Sequence, residues 1–429
     1  MIPNPAIVQA VEQLGYRVTV GDVAAQIGLD VGQAQQGLLA LASDVGGHMQ
    51  VANSGEIAYQ FPQNLRGVLR NKYWRLRLQE WWQKIWKVLF YLIRISFGIV
   101  LLVSIVLVFL TIAIIITATN RDGDDRGDRG GGGFYMPYFW IGPDWFWVFY
   151  PDYDTRYRQR RRETSNLNFL EAIFSFLFGD GNPNLDLEDK RFSLIAATIR
   201  NNRGVVTAEQ IAPYLDDLGE GYAQEYEDYM LPVLTRFNGQ PLVSPEGHLV
   251  YHFPELQVSA TQQQSRRVPA FLQEFPYRFS AASSGQIMLG IGLGALNFVG
   301  LLVLGNLLAD GLAAAQLGGL VAFVQGVYGL LLAYGVGFLL LPLVRYFWVQ
   351  RRNRKISDRN QRRQARANLL ASSDLVLQQK IAYASQFAAR STITKDDVVY
   401  STDSDLLEQE SQNPAQIDAD WQRRLSGSP

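Results

Sequence analysis

Gly247-His248-Leu249-Val250-Tyr251-His252-Phe253-Pro254 repeats a phrase that the chain has already spelled as Gly55-Glu56-Ile57-Ala58-Tyr59-Gln60-Phe61-Pro62. Strand side chains alternate with a period of two, so Ile57, Tyr59 and Phe61 share one face, as do Leu249, Tyr251 and Phe253. Those faces are expected to point inward. The opposite faces, Glu56, Ala58 and Gln60, then His248, Val250 and His252, are expected to meet solvent. A run opened by Gly, alternating in polarity and stopped by Pro reads as a half-buried strand.

Upstream of each copy lies the same order of elements, which makes the repeat a folding unit of some sixty residues. In the first, residues 1–63, Ile7, Val8, Val11 and Leu14 recur at helical spacing. Val18-Thr19 is extended, and Thr19 caps a helix that carries Val23, Ala24 and Ile27. Gly28-Leu29-Asp30 turns into a second helix with Ala34, Leu38 and Leu41 inward, and a two-stranded wing follows. In the second, residues 188–256, Phe192 to Ile199 is the first helix and Val205-Val206-Thr207 takes the place of Val18-Thr19. Tyr229 to Phe237 falls in the second helix of the pair. The fold class expected is α+β: two winged helix-turn-helix-like modules combined with transmembrane α-helices.

Winged helices commonly read DNA, which needs cations on the recognition helix and wing. Arg17 is the only Lys or Arg before Arg66, and Gly32 to Ala42 carries no charge. Glu225, Glu227 and Asp228 lead into the matching helix of the second module. Phosphates would be repelled, so no nucleic-acid partner is expected. His248 and His252 share a strand face, but Glu56 and Gln60 stand there in the first copy, so no metal site is expected. The run Asp180 to Asp186 fails as a calcium loop, with Leu185 where glycine is needed.

Residues 64–94 interleave cations with aromatics. Trp74, Trp81, Trp82, Trp86, Arg75, Lys84 and Lys87 are the candidate membrane-interface residues, suited to headgroups and anionic lipid. Residues 95–118 carry no charge and are long enough to cross roughly 30 Å of hydrocarbon. A Gly/Asp/Arg linker fills 119–133. The aromatic stretch 134–150, interrupted by Pro137 and Pro143, reads as re-entrant or spanning. A basic linker and a short apolar helix capped by Asn168 and Glu171 occupy 151–187. Past the second module, 257–285 is a linker. Residues 286–308 and 317–344 form a hairpin of two further spans, packed through small residues with Gly290, Gly294 and Gly335 foremost. Asn297 and Gln325 are expected to bond across that hairpin. Residues 345–429 hold a basic helix, a degenerate third copy around Ile393-Thr394 and Val398, and a disordered tail.

Positive charge flanks the first span, the hairpin entry (Arg266, Arg267, Arg278) and its exit (Arg345 to Arg366). The positive-inside bias places all three in the cytoplasm. That requires the chain to re-cross within 134–150; three spans with the second module outside is the alternative. No cleavable leader is read ahead of Ile95.

With 39 Lys and Arg against 40 Asp and Glu, net charge is -1, so no global field draws a polyanion. The absence of cysteine removes thiolate catalysis, disulfides and the usual protein ligands of iron–sulfur clusters. Three histidines, none beside an evident nucleophile, leave no Ser/His constellation, so no catalytic residue, cofactor or small-molecule substrate is assigned. The run Asn168 to Asn184 leading into Arg203-Gly-Val-Val-Thr-Ala-Glu-Gln-Ile-Ala212 resembles a family of uncharacterised membrane proteins of cyanobacteria and chloroplast envelopes. Plant members of that family bear an iron–sulfur-biogenesis label, and no functional residue carries over to this cysteine-free chain. The expectation is a non-enzymatic scaffold or assembly factor in a plasma or thylakoid membrane, its modules facing the cytoplasm and binding protein. A membrane-tethered transcription regulator and a transporter are the alternatives.

Overall fold

The computed structural model describes residues 4–72, 74–121, 167–219, 225–262, 265–309, 311–370, 375–394 and 396–403, with positions 418, 421 and 422 beyond. It is a mixed helix-and-sheet structure with two compact units. The first comprises Met1–Trp81, Asn184–Phe275 and Lys355–Pro429; the second comprises Trp82–Pro183 and Pro276–Arg354.

The first unit holds two lobes. Lobe A runs α1 (Pro5–Gln13), β1 (Arg17–Thr19), α2 (Val20–Ile27), α3 (Val31–Val45), β2 (His48–Ala52) and β3 (Ile57–Gln60). Helix α4 (Leu65–Lys72) follows, and α5 (Trp74–Arg121) leaves the lobe. Lobe B begins after α6 (Phe169–Phe178). It runs α7 (Leu187–Asn201), β4 (Val205–Val206), α8 (Ala208–Ile211), α9 (Leu231–Phe237), β5 (Gln240–Val243), β6 (Leu249–His252) and α10 (Pro254–Gln257). In lobe A, β3 lies between β1 and β2, with Tyr59 opposite Val18 and Met49. In lobe B, β6 lies between β4 and β5, with Tyr251 opposite Val206 and Pro241. Both sheets are antiparallel with the same pairing order.

Local chemistry explains the entry to each lobe. The Thr19 hydroxyl accepts from the Asp22 amide (3.1 Å) while the Asp22 carboxylate accepts from the Thr19 amide (2.9 Å), closing a capping box. The Thr207 amide donates to Gln210 at the matching place (3.1 Å). The lobes are not separately cored: Val23, Leu38 and Phe61 share one apolar cluster with Ile195, Phe237 and Phe253. Asp22, buried, accepts from Arg200 of α7 at 2.6 Å and from the Ala260 amide at 2.9 Å. Arg236 donates to the Gly28 carbonyl at 2.6 Å and lies over the Phe192 ring.

Two expectations about strand faces fail. Ile57 is exposed and Ala58 fully buried; in lobe B, Val250 is fully buried too. The cause is cover from later chain. Ala58 packs with Val258, Ala260 and Ile393, and Val250 packs with Val205 and Ala384. The segment 391–401 is not a third module. Its β8 (Ser391–Thr392) pairs in parallel with β7 (Val258–Ser259), and its β9 (Val398–Ser401) adds to β2 as a fourth strand. Val398, read as helical, is therefore a strand residue. Thr394 does not open a helix; it closes a turn on Asp397.

Among the described residues three helices are long and apolar enough to cross a membrane, within Trp81–Thr119, Ser284–Leu308 and Gly319–Leu370. The last two are α11 (Ser284–Leu308) and α13 (Gly319–Leu370), joined through α12 (Leu312–Leu317). In the second unit Val108, Leu301, Leu304, Val321 and Val324 form their common core. Asn297 does not bond across the hairpin: its carbonyl oxygen accepts from Ser104 of α5 at 2.9 Å. Gln325 is exposed. Helix α6 lies beside α5, with Phe97 and Phe178 ring centres 4.8 Å apart. Arg345 donates to the Phe176 carbonyl (2.7 Å), satisfying the end of α6. The aromatic stretch 134–150 and the basic cluster near 160 lie outside the described residues.

Gly28 and Gly46 both end helices with positive φ, +70° and +68°. A methyl at Gly46 meets open space, whereas one at Gly28 would lie 2.6 Å from the Asp189 carbonyl and 2.7 Å from the Ser193 amide. Gly46→Ala should therefore cost about 1 kcal/mol, the backbone term alone. Gly28→Ala should cost about 3 kcal/mol, because α2 and α7 must part. Thermal unfolding of the two variants in detergent measures this; equal midpoints would contradict the close approach.

Candidate functional site

The polar chemistry of the first unit collects where the C-terminal segment enters lobe B. Helix α14 (Leu375–Ser385) presents Lys380, whose ammonium donates to Glu209 at 2.7 Å and to Glu227 at 2.9 Å. The other Glu227 oxygen accepts from the Tyr251 hydroxyl at 2.8 Å. Glu209 lies at the start of α8, just past the Thr207 cap. Glu227 sits at φ +56°, a left-handed position just ahead of a one-turn helix at 228–230. Burial alone would lower the Lys380 pKa; the two carboxylates outweigh it and raise it. Burial and the Glu227 charge hold the Tyr251 hydroxyl far above its ordinary value, so it remains a donor. Tyr229 is raised for the same reasons. A lysine held as ammonium is no nucleophile. The cluster is built to fix a cation.

A second cluster ties the end of α13 to lobe B. Arg359 reaches Glu274 with two bonds, 2.8 and 2.6 Å. Arg363, almost fully buried, donates to Glu274 (2.7 Å), to the Leu272 carbonyl (2.9 Å) and to Asp216. Arg366 donates to the Leu215 carbonyl at 2.8 Å. Burial would raise the Glu274 and Asp216 carboxyls, but the arginine bonds and charges bring both below the ordinary range. The sequence offered no local sign of this, because Asp216 and Glu274 stand far from their partners along the chain.

Lobe A has a cavity beside the tyrosine that corresponds to Tyr251. It measures about 150 Å³ and is lined by Thr19, Gln35, Glu56, Tyr59, Glu255 and Val258, among others. Burial and the charge of Glu255 raise the Glu56 carboxyl. Among the described residues neither glutamate's carboxylate has a hydrogen bond or ion pair.

The interface candidates lie along α5. Trp81, Trp82 and Trp86 are exposed at 58%, 59% and 52%, and Lys84 and Lys87 are exposed beside them. The side chains of Trp74 and Arg75 lie outside the described residues. Of the packing glycines, Gly294 faces Phe338 and Gly335 faces Leu301, each close enough that a methyl would collide. Gly290 is buried, yet a methyl there would meet nothing within 4 Å. His252 lies 3.1 Å from the Gln257 amide, and His48 pairs with Asp403. Among the described residues no group of three or more His, Cys, Asp or Glu is placed to hold a metal.

Removing the Lys380 ammonium leaves Glu209 and Glu227 facing each other in a largely buried site. Lys380→Met should destabilise the protein by about 3 kcal/mol. Adding Glu227→Gln should recover part of that loss, because the remaining charge repulsion disappears. Unfolding of both variants in denaturant checks this; a neutral Lys380→Met would contradict it.

No protein-family profile matches the chain, and no solved structure does. The uncharacterized chloroplastic protein At5g03900 of Arabidopsis thaliana is 38% identical over 430 residues, an alignment covering 97% of this chain and 81% of the plant protein. Identity at that level over nearly the whole chain, spans and lobes included, shows common descent. The chain belongs to the same family as that uncharacterized chloroplastic protein.

Proposed function

We propose that this chain is an integral membrane scaffold or assembly factor whose two lobes are repeated winged-helix-like modules that bind protein. The observation that carries the reading is the outer face of α3. Gln33, Gln35, Gln36, Leu39 and Ser43 are exposed there, and none is charged. In a winged-helix arrangement this is the helix offered to a partner, and a nucleic acid would require cations on it. The nearby cations are committed elsewhere. Arg17 donates to Gln50 and to the carbonyls of Ala260 and Ile393, and Arg236 is engaged with Gly28. An uncharged helix face with an exposed leucine suits a protein surface. No enzymatic role is assigned, since the best-built polar cluster neutralises its lysine as a nucleophile.

Packing in the second unit supports an even number of crossings. Helix α5 ends at Arg121, but Leu170 lies against Gly98, which stands 23 residues earlier on the same helix. At about 1.5 Å per residue the chain comes back roughly 35 Å between those points, the depth of a hydrocarbon core. We therefore infer that Arg121 and Leu170 stand at opposite depths of the membrane, so that the crossings are even in number; the stretch 134–150 that the sequence offers for the return lies outside the described residues. With the hairpin this puts both lobes on one side. The cations of 64–94 and 345–366 make that side the cytoplasmic one of a plasma or thylakoid membrane.

Purification of the full chain from native membranes tests the reading. A stoichiometric protein partner should co-purify, and Leu39→Arg should reduce its recovery at least tenfold while the chain itself stays folded. The same preparation should produce no salt-dependent electrophoretic shift of duplex DNA. A shift without a protein partner would contradict the proposal in favour of a tethered regulator.

A further inference from the structure

Among the described residues a cation is held close to Tyr251 of the second octapeptide, whereas the cavity beside Tyr59 of the first is lined by no Lys or Arg. The octapeptides are offset by 192 residues, Gly55 to Gly247, and the same offset relates the left-handed caps Gly46 and Asn238. By that offset Tyr59 corresponds to Tyr251, and Gln35, on the cavity wall of lobe A, corresponds to Glu227. In lobe B the space is taken by Lys380 of the same chain, held between two glutamates. In lobe A the space is the cavity of about 150 Å³ already described, with Glu56 and Glu255 on its wall.

Independent features mark this cavity as more than an acidic patch. Tyr59 is 1% exposed and lines it, yet among the described residues its hydroxyl makes no hydrogen bond. A phenolic hydroxyl can both donate and accept, so this one is left available to a ligand atom in the cavity. Two uncompensated carboxylates that repel each other would be relieved by one cation. Lys380 supplies the chemical precedent within the same molecule: a primary ammonium satisfies two carboxylates beside the tyrosine position.

We propose that the cavity of lobe A receives the ammonium of a lysine side chain of a partner protein, held between Glu56 and Glu255 beside the Tyr59 hydroxyl. This rests on the reading of the lobes as protein-binding modules and names the chemistry they recognise. The cavity holds the head of one lysine, an ammonium and its last methylenes, and excludes a folded element. Specificity would come from charge and depth, and the uncharged face of α3, whose Gln35 also borders the cavity, would supply the surrounding contact.

A carbodiimide, which joins a carboxylate to an amine in direct contact, tests this in native membranes carrying the full chain. Peptide mapping should find Glu56 or Glu255 joined to a lysine of another polypeptide. The links of Lys380 to Glu209 and Glu227 form in the same sample and report that lobe B is intact. In a Glu56→Gln, Glu255→Gln double variant the intermolecular product should fall at least tenfold while the Lys380 links persist. Glu56 and Glu255 unjoined beside formed Lys380 links would overturn the proposal, as would their joining only to a free small amine. Absence of the Lys380 links would overturn it too, because the precedent would be lost. Co-purification of a partner without a link at Glu56 or Glu255 would refute this site alone and leave the scaffold reading standing.

Discussion

The ion pair between Asp22 and Arg200 is the constraint on which the rest of the first unit depends. Asp22 is almost wholly inside, and its carboxylate is shared among the Thr19 amide, the Ala260 amide and the Arg200 guanidinium. A charge taken that far from water is tolerated only when fully bonded, and loss of one partner from such a site typically costs about 3–5 kcal/mol. The pair joins the start of α2 in lobe A to the end of α7 in lobe B. Gly28 lets those helices approach by admitting the backbone of α7, and Gly21 admits the Glu255 carbonyl of α10 to α2. Lobes joined by a buried charge and a common core cannot be separated by a bilayer.

The C-terminal segment completes both lobes. It adds β9 to the sheet of lobe A, lays β8 beside β7, and sends Lys380 into lobe B. Arg359, Arg363 and Arg366 bind the end of α13 to the loops around Asp216 and Glu274. Cations that read as a collar beside lipid thus also hold protein together. Burying them is favourable only because each meets a carboxylate or a carbonyl.

What was legible in the sequence was local. The Thr19 cap, the glycine at the end of α2 and the charge-free run of α5 all act within a few residues, and the structure places them where their chemistry directs. What was not legible depended on distant chain. Alternation in Glu56 to Phe61 marked a strand, but it could not tell that Val258 and Ile393 would cover Ala58 and leave Ile57 outside. Val398 follows a Thr-containing turn like those that open helices, yet an unpaired edge at β2 made a strand the better use of its backbone groups. Asn297 found Ser104 on another helix, a partner set by packing of three helices and invisible to the hairpin's own sequence. The candidate cavity is of the same kind: Glu56 lay on a face read as solvent, and only the approach of Glu255 made it the wall of a site.

A buried ion pair and a common core require both lobes to stand on one side of any membrane as a single folded unit. The chain has no cysteine, so single cysteines at Ser54 and Glu246, exposed in the β2–β3 and β5–β6 turns, report their own side. In sealed vesicles of known orientation, an impermeant thiol reagent should modify both from the same side and neither from the other. Modification of the two from opposite sides would contradict the shared core.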